Sequence, residues 1–288
     1  MAEQPQAIKP IIELDDLSSK RRIRDLPWWF FAIILIAVYV FFIISTNADY
    51  NATFNFIKQG LSITVTTTLI AYALAILFGL LAGLGRISKN LILNNLSRLY
   101  VELIRGIPIL VLIFFIALVG VPVLVDFLNN FGFWLSDQGL VILGNVFTAV
   151  TNQDISMNSR AIIALAFTYG AYLAEIFRAG IQSIARGQME AARSLGMSYG
   201  QSMRYVILPQ AVRNVLPALG NDFVAMVKDS SLVSVLAVRD ITQVSRLYAG
   251  TTFRFREAYI ILAVLYLTMT VILSLGVQLL ERRLKIHD

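Results

Sequence analysis

Six predominantly apolar runs, each twenty or more residues long, dictate what this chain can become: approximately 27–46, 59–85, 100–120, 160–181, 215–237 and 258–281. At 1.5 Å per residue, a helix of that length crosses the roughly 30 Å of hydrocarbon in a bilayer. Backbone groups in lipid must be satisfied within the segment, and separate runs of this length favour helices over a barrel. The sequence therefore predicts an all-α membrane protein, a polytopic bundle of six transmembrane helices. Composition agrees: 57% of the 288 residues are hydrophobic and mean hydropathy is +0.71, more apolar surface than a soluble domain of this size can bury.

Residues 1–26 are polar and charged and read as a cytoplasmic tail. The 27–46 run is too long and uninterrupted for a signal peptide, so it is expected to be an uncleaved anchor, with Trp28 and Trp29 at the interface. The formal charge of +6 would elsewhere suggest nucleic acid, but the basic residues cluster at the ends of the apolar runs, and no nucleic-acid partner is expected. With the N-terminus inside, seventeen Lys and Arg fall in inner segments and six in outer ones, with Lys228 inside a run. Both termini are then cytoplasmic, as is the segment around Glu190. The chain has no cysteine and one histidine, His287 in the tail, so no metal site is expected.

Residues 121–159 form a long outer connection holding the apolar run Gly139 to Val150. Twelve residues are too few to cross, which makes this an interfacial or re-entrant helix. A crossing there would invert every later assignment. In the second run, Ala71, Ala75, Gly79 and Gly83 make a small-residue stripe suited to close helix packing, inside the chain or with another subunit. Ser62, Thr64, Thr66, Thr67 and Thr68 begin the same run, and their hydroxyls can bond their own helix carbonyls.

Between the fourth and fifth runs lies a polar island, about 183–213. Gly187 to Pro209 reads as two short helices joined by a turn. Gly196 is placed to end the first, Ser198 and Gln201 form a capping box opening the second, and Pro209 stops it. Met189, Ala192, Leu195, Tyr199 and Val206 give one apolar stripe, with Glu190, Arg193, Ser194, Gln201 and Arg204 opposite. By composition alone this is either a surface helix pair on the inner leaflet or a knob that meets another protein.

The residue order is more specific. Glu190-Ala191-Ala192, Gly196 after three residues, and Val206-x-Leu208-Pro209 after nine resemble the EAA loop of permease subunits in ATP-binding-cassette importers, with valine where isoleucine is usual. Arg105-Gly106-Ile107-Pro108, Gly170-Ala171-Tyr172-Leu173-Ala174-Glu175, Leu208-Pro209-Gln210-Ala211 and Lys228-Asp229-Ser230-Ser231-Leu232 look like the polar amino-acid permease family (histidine, glutamate, glutamine, arginine and opine) over about 59–281. The resemblance implies a five-helix core, to which 27–46 is an addition, and an outer connection longer than usual. It also implies that Gly187, Glu190, Ala191, Ala192, Arg193, Gly196, Leu208 and Pro209 seat on a cytoplasmic ATPase. The implied partners are two ATP-binding subunits that hold the ATP and Mg, a second identical or homologous permease subunit, an extracytoplasmic solute-binding protein and a polar amino acid. The implied setting is the prokaryotic inner membrane. No G-x-x-x-x-G-K-[ST] loop occurs, so the chain itself is expected to be no enzyme.

Ionisable residues inside apolar runs invite a functional reading. Asn221, Lys228, Asp229, Ser230 and Ser231 fall near mid-bilayer in the fifth run, and Glu175 and Glu102–Arg105 lie in the fourth and third. They are candidates for a path accepting a zwitterionic solute. Read structurally, Glu102–Arg105 and Glu175–Arg178 are salt bridges that hold the bundle. Two other classes remain in view. An ion-coupled secondary transporter would need an internal repeat, which is not found, and a membrane enzyme would need paired carboxylates or a histidine cluster.

Overall fold

A computed structural model describes residues 28–285; the tail at 1–26, Pro27 and His287 lie outside the described residues. Among the described residues every regular element is a helix. In chain order these are α1 (Trp28–Thr46), α2 (Ala48–Ile87), α3 (Leu91–Arg105), α4 (Ile109–Asp137), α5 (Val141–Thr148), α6 (Met157–Gln182) and α7 (Arg186–Ser194). They continue with α8 (Tyr199–Ser202), α9 (Leu208–Asp229), α10 (Ile241–Thr252) and α11 (Phe255–Lys285). Four helices are long and apolar enough to cross a membrane by length and composition: α2, α4, α6 and α11. Helix α1 offers the shorter apolar stretch Phe31–Thr46. Helix α9, standing where the fifth run was expected, carries Arg213, Asp222, Lys228 and Asp229.

Helix starts are set by short polar side chains. Asn47 caps α2 through the amides of Asp49 and Tyr50, Asn90 caps α3, Ser156 caps α6 and Asp240 caps α10. The dominant seam joins α2 to α6. Ala71, Ala75, Gly79 and Gly83 all lie in it, buried. A Cβ on Gly79 would stand 2.6 Å from the Leu173 Cβ, and one on Gly83 would stand 2.8 Å from the Ala174 carbonyl oxygen. The small-residue stripe is thus spent inside the protomer, where close backbones gain dispersion contacts that lipid cannot supply. Of the hydroxyl cluster, Thr64, Thr66 and Thr68 bond their own helix, whereas Thr67 reaches Asn158 Oδ1 on α6 at 2.7 Å.

Two expected boundaries move. The third run, 100–120, is broken at Gly106-Ile107-Pro108: α3 ends at Arg105 and α4 starts afresh. Proline disfavours helix in the residue before it and cannot donate, so the chain turns there. The connection at 121–159 is also largely helical. Residues 121–137 continue α4 past a π turn at Ile116–Gly120, and α5 folds back against them. The return segment is pinned by Arg160, whose guanidinium donates to the carbonyls of Asn152 (2.6 Å), Ile155 (3.2 Å) and Ala117 (3.2 Å) within the π turn. Below it, the hydroxyl and then the amide of Thr151 hold the Asp154 carboxyl below its ordinary range.

Candidate functional site

The polar island folds as a knob. Helix α7 ends in a Schellman turn: Gly196 takes φ +83°, its amide donates to the Arg193 carbonyl at 3.0 Å, and the Met197 amide reaches the Ala192 carbonyl at 3.2 Å. Two residues later Ser198 and Gln201 cap one another, with the Gln201 amide donating to Ser198 Oγ (3.3 Å) and the Ser198 amide to Gln201 Oε1 (2.8 Å). The turn between the helices is therefore satisfied from both sides and rigid.

Pro209 does not stop the helix that follows. Helix α8 runs through a π turn at Met203–Ile207 straight into α9. Proline has no amide to donate, and its ring collides with the carbonyl four residues back. Widening the preceding turn removes the collision, and Gln210 Nε2 takes up the Val206 carbonyl at 2.9 Å.

The expected apolar stripe is also revised. Ala192 is buried and Met189 and Val206 are partly buried, but Leu195 is 84% exposed and Tyr199 61%. Leu195 is the cap residue beyond the last turn of α7, and the left-handed Gly196 breaks the helical repeat before Tyr199, so neither continues the stripe. The base is completed instead by Met197, Ser202 and Ile207. Beside it, Leu84, Ile87, Lys89, Tyr199, Met203 and Ile207 border a groove of about 720 Å³. Glu190, Ala191, Arg193 and Leu195 face outward, and among the described residues neither Glu190 nor Arg193 has an ion-pair partner. A Cβ on Gly187 would meet nothing within 4 Å. Leu208 and Pro209 are exposed at the foot of the same knob.

The charged residues near this end form a cluster centred on Glu175. Arg178 binds it, as expected, but so does Arg86 from the last turn of α2. Arg86 also approaches Glu102 at 3.7 Å. Glu102 is therefore paired with Arg86 rather than with Arg105, whose guanidinium lies 5.9 Å from the Tyr172 ring centroid. Sequence spacing could not find Arg86, because its partners are far away in sequence. The one hint was its place at the inner end of the second run, level with Glu175.

The proposed path residues do not gather in one place. Lys228 and Asp229 close α9, where the chain tightens into a 3₁₀ turn at Ser230–Leu236, and do not stand in the middle of a continuous helix. Asp229 accepts a 2.7 Å hydrogen bond from Tyr169 on α6, while Lys228 is exposed and, among the described residues, without an ion-pair partner. Consecutive residues on a helix point about 100° apart, which separates the two. Ser230 is buried and donates to the Val227 carbonyl (2.7 Å); Ser231 is half-buried beside it. Asn221 faces Glu281 of α11 at 3.5 Å, at the rim of a polar recess of about 390 Å³ shared by Gln210, Arg213 and Asn214. Asp222, one turn from the Tyr72–Leu219 hydrogen bond (2.5 Å), leaves one buried carboxylate oxygen without a hydrogen-bond partner among the described residues. Tyr169 and Arg213 are the members sequence reasoning missed. No group of His, Cys, Asp and Glu among the described residues could hold a metal.

Comparison with known proteins adds a family. Residues 75–286 match the model of the family described as the binding-protein-dependent transport system inner membrane component. The chain is 38% identical over 232 residues to a probable glutamine ABC transporter permease protein, GlnM, of Bacillus subtilis (strain 168), covering 81% of this chain and 94% of that one. It is 34% identical over 228 residues to the glutamine transport system permease protein GlnP of Escherichia coli (strain K12), covering 79% and 92%. Among solved structures, an amino acid ABC transporter with histidines aligns at TM-score 0.65 and 37% identity, over 82% of this chain and 95% of that one. None of these three is an ion-coupled carrier, which removes the ground for the secondary-transporter alternative.

Proposed function

Because the chain belongs to the family of binding-protein-dependent transport system inner membrane components, we propose that it is the permease subunit of an ATP-driven importer of polar amino acids. It forms half of a pore with a second permease subunit, identical or homologous. Two ATP-binding subunits, which hold the ATP and Mg, attach on the side of α7, and a solute-binding protein delivers cargo at the opposite end. Both termini and the knob face the cytoplasm, in keeping with the excess of Lys and Arg in those segments.

The observation that carries this reading is the build of α7. A nine-residue helix capped at its C-terminal end by the Schellman turn has one buried alanine at its base and free Glu190, Ala191, Arg193 and Leu195 at its crest. Ala191 leaves room for a partner beside the exposed Leu195, and the charges of Glu190 and Arg193 give it register. The turn at Gly196 and the capping box then tie α7 firmly to α8, which continues through the π turn into α9. At the far end of α9, the exposed Lys228 offers a cation to the carboxylate of a zwitterion; Asp229, Asn221, Ser230, Glu102, Arg105 and Glu175 are turned to contacts within the chain and support the fold rather than line one route with it.

Reconstitution of this subunit with its co-purifying ATPase and permease partners tests the reading. Glutamine, glutamate, histidine or arginine with the binding protein should stimulate ATP hydrolysis and drive uptake into vesicles. Lys228→Met should lower uptake while stimulation persists. Uptake that survives ATP removal but collapses with the ion gradient would refute the importer; full uptake by Lys228→Met would remove that residue from the path.

A further inference from the structure

The hairpin of α4 and α5 is built inside out. Polar groups occupy its inner seam: with its amide assigned so that the nitrogen faces these acceptors, Asn129 donates to the carbonyls of Phe147 (2.9 Å) and Val150 (3.2 Å). Ser136 and Thr148 return their hydroxyls to the carbonyls of Gly132 (3.1 Å) and Gly144 (3.2 Å) on their own helices. The two glycines bring the backbones so close that a Cβ on Gly144 would stand 2.5 Å from the Gly132 oxygen. The outer surface is apolar. Phe127, Phe133 and Trp134 on α4 are exposed, as are Val146 and the consecutive Val141, Ile142 and Leu143 on α5, with Ile142 at 84%. Three consecutive exposed residues span about 200° of a helix. The exposed polar exceptions are Asp126, Asn130 and Asp137 on α4 and Asn145 on α5, with Asp126 accepting from Asn152 Nδ2 at 2.9 Å.

Three observations identify what covers this surface. It faces away from the seam in several directions, whereas a docked protein covers one side, and water would favour the opposite arrangement of polar and apolar groups. It continues without a break from the exposed Phe115 and Val119 of the same helix, one of the four long enough to span the bilayer. And no Lys or Arg occurs from Gly106 to Ser159, the pattern of a segment on the outer side of a membrane. Helix α4, at 29 residues, is about 43 Å long against roughly 30 Å of hydrocarbon, so its last turns reach the headgroup zone, where Trp134 falls.

We propose that the hairpin 121–150 is a lipid-embedded element of the leaflet opposite the α7 knob. Its flanks lie against acyl chains and Trp134 sits at the headgroup boundary. Arg160, gripping Ala117 and Asn152, holds its root to the end of α6. The hairpin is thus an interaction surface for phospholipid and not a dock for a soluble binding protein.

The absence of native cysteine makes the test direct. Ile142→Cys and Val146→Cys are made in the assembled transporter, in nanodiscs of phosphatidylcholine, with Arg256→Cys, whose side chain is 77% exposed, as the water-facing reference. A membrane-impermeant sulfonated maleimide, read on this subunit's band, should react at 142 and 146 roughly tenfold or more slowly than at 256. Bimane attached at 142 before reconstitution should lose a large part of its emission when the lipid is exchanged for acyl-brominated phosphatidylcholine. Maleimide reaction at 142 as fast as at 256 overturns the proposal in favour of water. Slow reaction without quenching overturns it in favour of a protein cover. Neither result bears on cargo or ATP coupling, so the two readings fail separately.

Discussion

The α7 knob and the α4–α5 hairpin are both helix–turn–helix projections from one bundle, and they are opposites in polarity. The knob hides Ala192 and Ile207 and shows Glu190 and Arg193; the hairpin hides Asn129 and Ser136 and shows Phe133 and Ile142. Their means of closure differ accordingly. The knob is held by amide-to-side-chain caps, which work at a surface where water competes for every other polar contact. The hairpin is held by two glycines and by hydroxyls bonded within their own helix, which work where nothing outside can satisfy a polar group. Each medium leaves its own signature in how a turn is secured.

Three substitutions probe that contrast. Glu190→Lys reverses an exposed charge on the crest that has no ion-pair partner among the described residues. Uptake should fall on the order of tenfold or more through loss of ATPase coupling, while membrane insertion and melting temperature stay as in the parent. Uptake assays with a matched thermal melt decide it, and normal uptake would detach the knob from coupling. Gly144→Leu forces a side chain into the space where a Cβ already meets Ser136 Oγ at 1.9 Å. It should destabilise the hairpin by about 1–3 kcal/mol, read as faster proteolysis within 138–156, with the knob unaffected. Ser198→Ala removes half of the capping box, and hydrogen exchange at residues 198–202 should rise by the equivalent of about 1 kcal/mol. Unchanged exchange there would mean the caps are not what secures the knob.

Local chemistry was legible in the sequence. The Gly196 turn, the Ser198–Gln201 box and the packing of Ala71, Ala75, Gly79 and Gly83 each depend on residues a few positions apart, and the structure places them as spacing implied. What escaped depends on distance or on a change of period. Leu195 and Tyr199 fit a continuous helical repeat, but Leu195 is the cap of α7 and the left-handed Gly196 interrupts the repeat before Tyr199. Pro209 looks like a stop in sequence because the π turn that accommodates it has no sequence mark of its own. Arg86 and Tyr169 meet their carboxylate partners 89 and 60 positions away, beyond any spacing rule. Residues 121–137 continue α4 although Asp126, Asn129, Asn130 and Asp137 interrupt the apolar run; of these only Asn129 turns to the inner seam, and the other three stay exposed.

The widened turn at Met203–Ile207 has a mechanical consequence. It joins the knob to α9 at a joint from which 22 residues extend to Asp229, an arm of about 33 Å. A pivot of about 10° there, well short of a sharp kink, sweeps the far tip through about 6 Å. That is more than twice the 2.7 Å between Tyr169 and Asp229. Such a swing would break the Tyr169–Asp229 contact and slide α9 along α6 and α11, against which it also packs.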